Sequence, residues 1–311
     1  MAAEKDMTVG DPQKIILNFT IPVFIGNVFQ QVYSMADTVI VGKFVGTKAL
    51  AAVGATGTIN FLILGFLLGL TAGFTVLTAQ KFGAGDMGSM RKTVGNAAIL
   101  SFIVAVAMTL VSWLLTFMNT PEDIFDDAYT YIMIICGGIF TQVLYNLLSS
   151  ILRALGNSKT PLYFLLLSAG LNIVLDLVLI IYFHMGVAGA AYATVISQGV
   201  SGFLCLIFII KKVPVLHMEK GEFRLEKNLS IQQLKVGFPM ALQYSITAIG
   251  TMMVQSALNM LGSIAVAAFT AANKIENLLT QAFVAQGVTM ATYCAQNMGA
   301  GRPDRIRKGF R

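Results

Sequence analysis

The sequence predicts an all-α membrane protein, a polytopic bundle of about eight transmembrane helices out of an expected twelve in two six-helix lobes. Three observations lead there. Of the 311 residues 56% are hydrophobic and 12% charged, and the mean hydropathy is +0.74, too apolar for a chain that must cover a core with polar surface. The apolar residues fall in runs long enough to cross about 30 Å of hydrocarbon. The first two runs also recur late in the chain, as a parallel repeat.

In chain order the spans fall at roughly 14–42, 49–80, 93–118, 126–152, 161–183, 188–210, 233–260 and 264–295. Basic residues sit in alternate loops: Lys5 and Lys14 before the first span, Lys81, Arg91 and Lys92 after the second, Arg153 and Lys159 after the fourth. Lys211, Lys212, Lys220, Arg224, Lys227 and Lys235 follow the sixth, and Arg302, Arg305, Arg307, Lys308 and Arg311 the eighth. The other loops hold Lys43 and Lys48 and the acidic group Glu122, Asp123, Asp126 and Asp127. This bias places the N-terminus and the basic loops in the cytoplasm, in the plasma (inner) membrane, with several passes. The net charge of +6 is therefore topological, and no nucleic-acid partner is expected. Met1 to Gln13 is polar, and the apolar run behind it has no small-residue cleavage site, so no removable signal peptide is expected. Cys136, Cys205 and Cys294 lie in apolar runs without CxxC spacing, which suits packing rather than a metal site or a disulfide framework.

At an offset of about 216 residues, Ala79-Gln80-Lys81-Phe82-Gly83-Ala84-Gly85 matches Ala295-Gln296-Asn297-Met298-Gly299-Ala300-Gly301, with basic residues after both. Gly46 aligns with Gly262, Ala51-Ala52 with Ala267-Ala268, and Pro22 with Pro239 after one residue of slippage. Six spans separate the copies, so both enter the membrane in the same sense, as in transporters whose halves are related by an axis along the membrane normal. Residues 1–210 form the N-terminal lobe, 211–230 a linker, and 231–311 the first two helices of a C-terminal lobe; on this reading four further helices belong after Arg311, and the chain is a C-terminally truncated transporter. The linker's mixed charges suit a solvated face.

Away from the span ends, four charged side chains fall inside spans: Asp37, Asp176, Lys274 and Glu276. Counting at 1.5 Å per residue, Asp37 lies about 9 Å below the outer end of the first helix and Asp176 about 12 Å below that of the fifth. Asn172 and Asp176 are four apart and share a helical face. Asp176 and Thr194 are equidistant from Met185 in the turn between two antiparallel spans, which puts them at one depth. An intramembrane carboxylate is costly and faces an interior cavity with a task. Two carboxylates at one level in low dielectric hold a proton or a cation between them. Blander readings stay open: Asp37 could snorkel outward or pair with Lys43, and Asn172 and Thr194 could be interhelical hydrogen-bond glue. Pro22, fifteen residues before Asp37, permits a kink, either as a moving part or as static packing. Gln30, Gln31 and Tyr33 between them could line a cavity, and so could Glu276. Lys274 and Glu276, two apart, do not face each other and take no assigned role.

These residues resemble a known family. Ala36-Asp37-Thr38-Val39-Ile40-Val41-Gly42 followed by Leu50-Ala51-Ala52-Val53-Gly54, the Arg153-Ala154-Leu155-Gly156-Asn157 turn before Thr160-Pro161, and Asn172-x-x-x-Asp176 followed by Gly186-x-x-Gly189-Ala190-Ala191 look like the multidrug and toxic compound extrusion (MATE) transporters, over essentially the whole chain. The resemblance implies two six-helix bundles with a cleft between them and antiport of organic cations or other amphipathic compounds against H⁺ or Na⁺. Within the family the chain is similar to the branch of DNA-damage-inducible transporters. On that likeness Asp37, Asn172, Asp176 and Thr194 match the cation-binding positions, with any Na⁺ held at Asp37 and Asp176, and Pro22 matches the kink. The Na⁺-dependent branch typified by the NorM proteins has a glutamate in the seventh helix where this chain has Thr247, so no cation site of that kind is implied in the C-terminal lobe. No cofactor beyond the coupling ion and no enzymatic activity is expected. The expected partners are small amphipathic or cationic substrates and the lipid bilayer, and the expected state is a monomer.

Two rival functions share these features. A lipid-linked oligosaccharide flippase has the same fold, but would call for a cationic groove, and Lys274 is the one basic residue deep within a span. An intramembrane aspartyl protease would also pair two membrane carboxylates, but expects a Gly-x-Gly-Asp setting, and Asp176 follows Val174-Leu175. A direct repeat favours alternating access over hydrolysis.

Overall fold

A computed structural model describes residues 4–115, 125–219, 221–259 and 263–310. Glu122, Asp123, Lys220, Gly262 and Arg311, named above, lie outside these residues, as do the side chains of Ala267, Ala268 and Lys274. Among the described residues there are helices and no strand.

Helix α1 spans Pro12–Phe44. Asp11 caps it, its carboxylate accepting from the Gln13 N–H at 3.1 Å, and Pro12 occupies the first turn, where a missing N–H is harmless. The helix runs through Pro22 unbroken. α2 spans Thr47–Gly83 and α3 Met87–Leu115. α4 (Phe125–Gly137) and α5 (Ile139–Ala154) form one span bent by 46°. The bend falls at the Gly137-Gly138 pair, and Gly138 leaves the space that the Val195 side chain fills. α6 spans Lys159–Asp176 and continues as a π-helical turn, Leu177–Tyr182. α7 spans Gly186–Lys212, and a short 3₁₀ turn follows at Pro214–Leu216. α8 spans Lys227–Asn259, α9 Ser263–Gly299 and α10 Pro303–Gly309. α7 reaches Lys212 and α8 starts at Lys227, so helix occupies both ends of the stretch 211–230.

Five of these helices are long and apolar enough to cross a membrane, and the bent α4–α5 pair makes a sixth. α8 and α9, with 33 and 37 residues, have the length but carry more polar side chains, Gln233, Gln243, Asn277 and Gln281 among them. They pack into the same bundle, α8 against α2 and α9 against α1 and α2.

The repeat is visible in the backbone. α2 and α9 are both 37 residues long, and each ends in a Gly-Ala-Gly turn whose second glycine, Gly85 or Gly301, has φ of 72° or 66°. That left-handed conformation suits glycine. α3 and α10 then begin at equivalent residues, Met87 and Pro303. A Cβ on Gly83 would collide with the backbone of Gln296, and a Cβ on Gly299 with the backbone of Gln80. Gln80 and Gln296 are themselves equivalent, so the contact is reciprocal, as a two-fold axis requires.

Inside a bilayer, helices associate through close van der Waals packing of small residues, since lipid is as apolar as leucine. The α2–α8 seam uses Gly69 and Gly73 against Gly237 and Ala241: a Cβ on Gly73 would meet the Cα of Gly237, and one on Gly69 would meet the backbone of Met240 and Ala241. The largest buried cluster, with Leu70, Phe74, Met90, Val94, Leu148, Leu152 and Cys205, fills the space among α2, α3, α5 and α7. Cys205 packs there, and Cys136 packs in a second cluster with Ile132 and Val143.

Candidate functional site

Polar side chains from four helices of the first lobe converge on one place. α6 presents Asn172 and Asp176, one turn apart and 1% and 0% exposed. α1 brings Asp37 against them, the Asp37 and Asp176 carboxyls lying close enough to share a hydrogen. The Asn172 Nδ2 donates to the Thr194 Oγ1 of α7 across 3.5 Å. One turn further along α7, Gln198 stands beside the Tyr33 hydroxyl, with Gln30 also next to it. Tyr131 of α4 is buried within electrostatic reach of both carboxyls.

The electrostatics are lopsided. Asp37 Oδ1, both carboxylate oxygens of Asp176 and Asn172 Oδ1 are buried without a hydrogen-bond partner. All are acceptors while the aspartates are ionised. Among the described residues the ion pairs are Lys81–Asp86, Arg91 with Glu219 and Glu222, and Arg224–Glu226, all far in sequence from either aspartate. Lys43, a candidate partner for Asp37, lies instead over the Phe44 ring, 5.7 Å from its centroid. Buried negative charge without donors or counter-charge is strongly unfavourable. A proton shared between the carboxyls relieves it, and so does a hard cation, for which an all-oxygen set of carboxylates, amide and hydroxyl is the fitting donor chemistry. Among the described residues no cluster of three or more His, Cys, Asp or Glu side chains gathers as a metal centre.

Local backbone form sets this geometry. The π turn starts at the residue after Asp176, and within it the Phe183 N–H donates to the Val178 carbonyl, five residues back, at 3.1 Å. A π turn holds more residues per turn than an α-helix and so advances less per residue. A regular hairpin would set Thr194 level with Asp176; here its hydrogen bond goes to Asn172, one turn deeper. Such turns recur at functional sites.

α1 has a second polar face. Gln31, Ser34, Met35, Thr38 and Val39 line a cleft of about 270 Å³, closed on the α9 side by Asn277 and Leu278. Gln31 is among the residues around this cleft. Tyr33 instead stands on the Asp37 side of α1 with the exposed Gln30 next to its hydroxyl, and Glu276 is an exposed residue beside Asn277. Thr247 is exposed, its hydroxyl donating to the Gln243 carbonyl at 2.9 Å. Pro22 is buried in α1 next to Phe19 and Val23, which pack on Ala285 and Tyr293 of α9. Sequence reasoning passed over Tyr131 and Gln198. Gln198 carried a signal, because it follows Thr194 at the same four-residue spacing that joins Asn172 to Asp176.

A family model described as MatE matches residues 22–178 and 237–311. The chain is 33% identical over 307 residues to the probable multidrug resistance protein YpnP of Bacillus subtilis, covering 97% of this chain and 68% of that one. It is 28% identical over 305 residues to the probable multidrug resistance protein YoeA of the same organism, covering 94% and 66%. A solved structure described as the outward-facing conformation of a multidrug resistance MATE family transporter of the MOP superfamily superposes with a TM-score of 0.91 at 27% identity, over 98% of this chain and 69% of that one. The chain spans about two thirds of the length of these relatives.

Proposed function

The chain belongs to the MATE family of membrane transporters, and from that premise we propose that it serves as a secondary active multidrug efflux antiporter. It exchanges organic cations or amphipathic compounds for H⁺ or Na⁺ by alternating access. One observation carries the reading: four buried, acceptor-only oxygens without partners around Asp37 and Asp176. They make the site a trap for a small positive ion.

α1 links ion to cargo. Its Gln30, Tyr33 and Asp37 face supports ion binding, and its Gln31, Ser34 and Thr38 face borders the cleft. The faces are offset by one residue on a rigid helix, so a shift of α1 that follows neutralisation of Asp37 changes the cleft wall. Ion binding in one state and substrate binding in the other then exclude each other, and each biases the rocking of the two lobes. The uncharged lining of the described cleft suits amphipathic guests held mainly by shape and by amide and hydroxyl contacts. The arrangement of basic loops supports a cytoplasmic N-terminus in a plasma (inner) membrane, and the protein works as a monomer.

The test is dye efflux from vesicles that contain the complete transporter, under a pH gradient and a Na⁺ gradient imposed separately. Asp37→Asn and Asp176→Asn are expected to abolish gradient-driven efflux while leaving expression intact. Undiminished efflux by both variants would overturn the reading, and the gradient that drives the parent identifies the ion.

A further inference from the structure

We propose that the segments leading into α1 and α8 act as a pair of latches, each fastened to the opposite lobe, and that the end of the bundle carrying them opens when both let go. The proposal rests on the alternating-access reading above and names what resists the motion.

The first latch is the stretch before α1. The Lys5 N–H donates to the Leu155 carbonyl at 2.9 Å, within its own lobe. Beyond it the fastenings come from the second lobe. The Met7 N–H donates to Gln296 Oε1 at 2.9 Å, Arg302 donates to the Thr8 carbonyl at 2.8 Å, and Arg305 donates to the Gly10 carbonyl at 2.9 Å. Met7 is fully buried as a result. Gln296 also donates through Nε2 to the Ala154 carbonyl of α5 at 2.7 Å, so one buried amide of α9 holds both the leading segment and the first lobe's helix end.

The second latch is the stretch before α8, and it crosses the other way. Glu222 accepts from Arg91 Nε of α3 at 2.7 Å, and Glu219 from the same guanidinium at 3.1 Å. The Glu226 N–H donates to Asn96 Oδ1 at 2.8 Å. Asn96 in turn donates to Gln233 Oε1 of α8 at 2.7 Å, and both amides are fully buried. The backbone of Glu222 lies so near α3 that a Cβ on Gly95 would sit 2.8 Å from its carbonyl oxygen.

Each latch thus leads by sequence into one lobe and is hydrogen-bonded to the other, in the reciprocal pattern that the repeat imposes. Both lie at the end where Gly83 meets Gln296 and Gly299 meets Gln80. Separating the lobes there breaks charge-assisted bonds from Arg91, Arg302 and Arg305, which are about twice as strong as neutral ones.

The experiment uses the complete chain with Cys136, Cys205 and Cys294 replaced by alanine and Ala79→Cys as reporter. Ala79 is buried where α2, α5 and α9 meet, against Ala154 and Ala295. The labelling rate with a membrane-impermeant maleimide, added on the latch side, reads how often that end opens. Arg302→Ala with Arg305→Ala is expected to raise the rate roughly a hundredfold, the loss of two charged hydrogen bonds to the latch, and Glu222→Gln to raise it independently. Unchanged labelling in both would overturn the latches. If Ala79→Cys disturbs folding, hydrogen exchange across residues 76–84 in the same variants without the reporter measures the same opening, and unchanged exchange overturns the latches equally. If labelling of the parent ignores Na⁺, pH and dye, the antiport reading fails, and the latches are still judged by the variant-to-parent ratio.

Discussion

The α2–α8 and α1–α9 seams are equivalent under the repeat, yet they are built differently. In the first, Gly69 and Gly73 bring α2 onto the backbone of α8. In the second the equivalent positions are Ala285 and Thr289, and Thr289 meets the Thr20 hydroxyl at 2.9 Å. The first seam is shut by backbone contact. The second is joined there through side chains, and further along it lies the cleft between α1 and α9. The carboxylates follow the same asymmetry: in the register set by Pro22 and Pro239, Asp37 on α1 has Val254 as its counterpart on α8, a residue 47% exposed. The repeat supplies the scaffold twice, and the chemistry is installed once, on the helix whose seam has room to change.

The largest effect that tests this contrast comes from filling the tight seam. Gly73→Leu overpacks α2 against α8 and is expected to cost about 3 kcal/mol or more, read as loss of monodisperse protein after solubilisation. Thr289→Val at the equivalent place forfeits one interhelical hydroxyl bond, worth about 0.6 kcal/mol, and lowers the melting temperature slightly. Similar losses would show that the seams are not different in kind.

A second pair separates the two faces of α1. Ser34→Trp fills the cleft and is expected to weaken dye binding about tenfold or more, as when a pocket rejects an oversized group, with ion dependence retained. Tyr33→Phe is expected to change the ion dependence and leave dye affinity near that of the parent. Binding titrations at varied Na⁺ and pH distinguish them, and identical profiles would unify the faces.

Adding a carboxylate at the counterpart position, Val254→Asp in an Asp37→Asn background, is expected to restore no coupling. Recovered efflux in vesicles would mean that the second lobe can house the ion as well. The smallest effect concerns the latch before α8. The Arg91 hydrogen bond, helped by the Glu219 backbone N–H and by the charges of Arg91 and Lys92, holds the Glu222 carboxyl below the ordinary glutamate range. A depressed folded-state value contributes stability above the unfolded value, and that contribution is lost as pH falls through the folded one. The protection factor of the latch amides, which divides out the steep intrinsic pH dependence of exchange, is therefore expected to be flat near neutrality and to fall only in acid below about pH 4. A protection factor that falls near neutrality would assign the latch to another group.

Much of this was legible in the residues. The offset read from Ala79–Gly85 and Ala295–Gly301 carries over to the ends of α2 and α9 and to the starts of α3 and α10, because Gly-Ala-Gly turns end helices by a local backbone rule. Asp37 and Asp176 could be placed at one level because helical rise is nearly constant. The π turn escaped, since nothing in Leu177–Tyr182 marks it, and with it went the true partner of Thr194. Gln30 and Gln31 were read as one polar patch, although adjacent helical residues point about 100° apart, and here they serve different sites. The latches were invisible for another reason: backbone carbonyls of Met7, Thr8 and Gly10 leave no trace in side-chain chemistry.

The meeting of Gly83 with Gln296 and of Gly299 with Gln80 has a mechanical corollary. Where two helices touch main chain to main chain, no knobs sit in holes, and a small tilt about that point has no interlocked side chains to disengage. The spot works as a bare bearing placed on the symmetry axis, so resistance to turning must come from what is strapped around it.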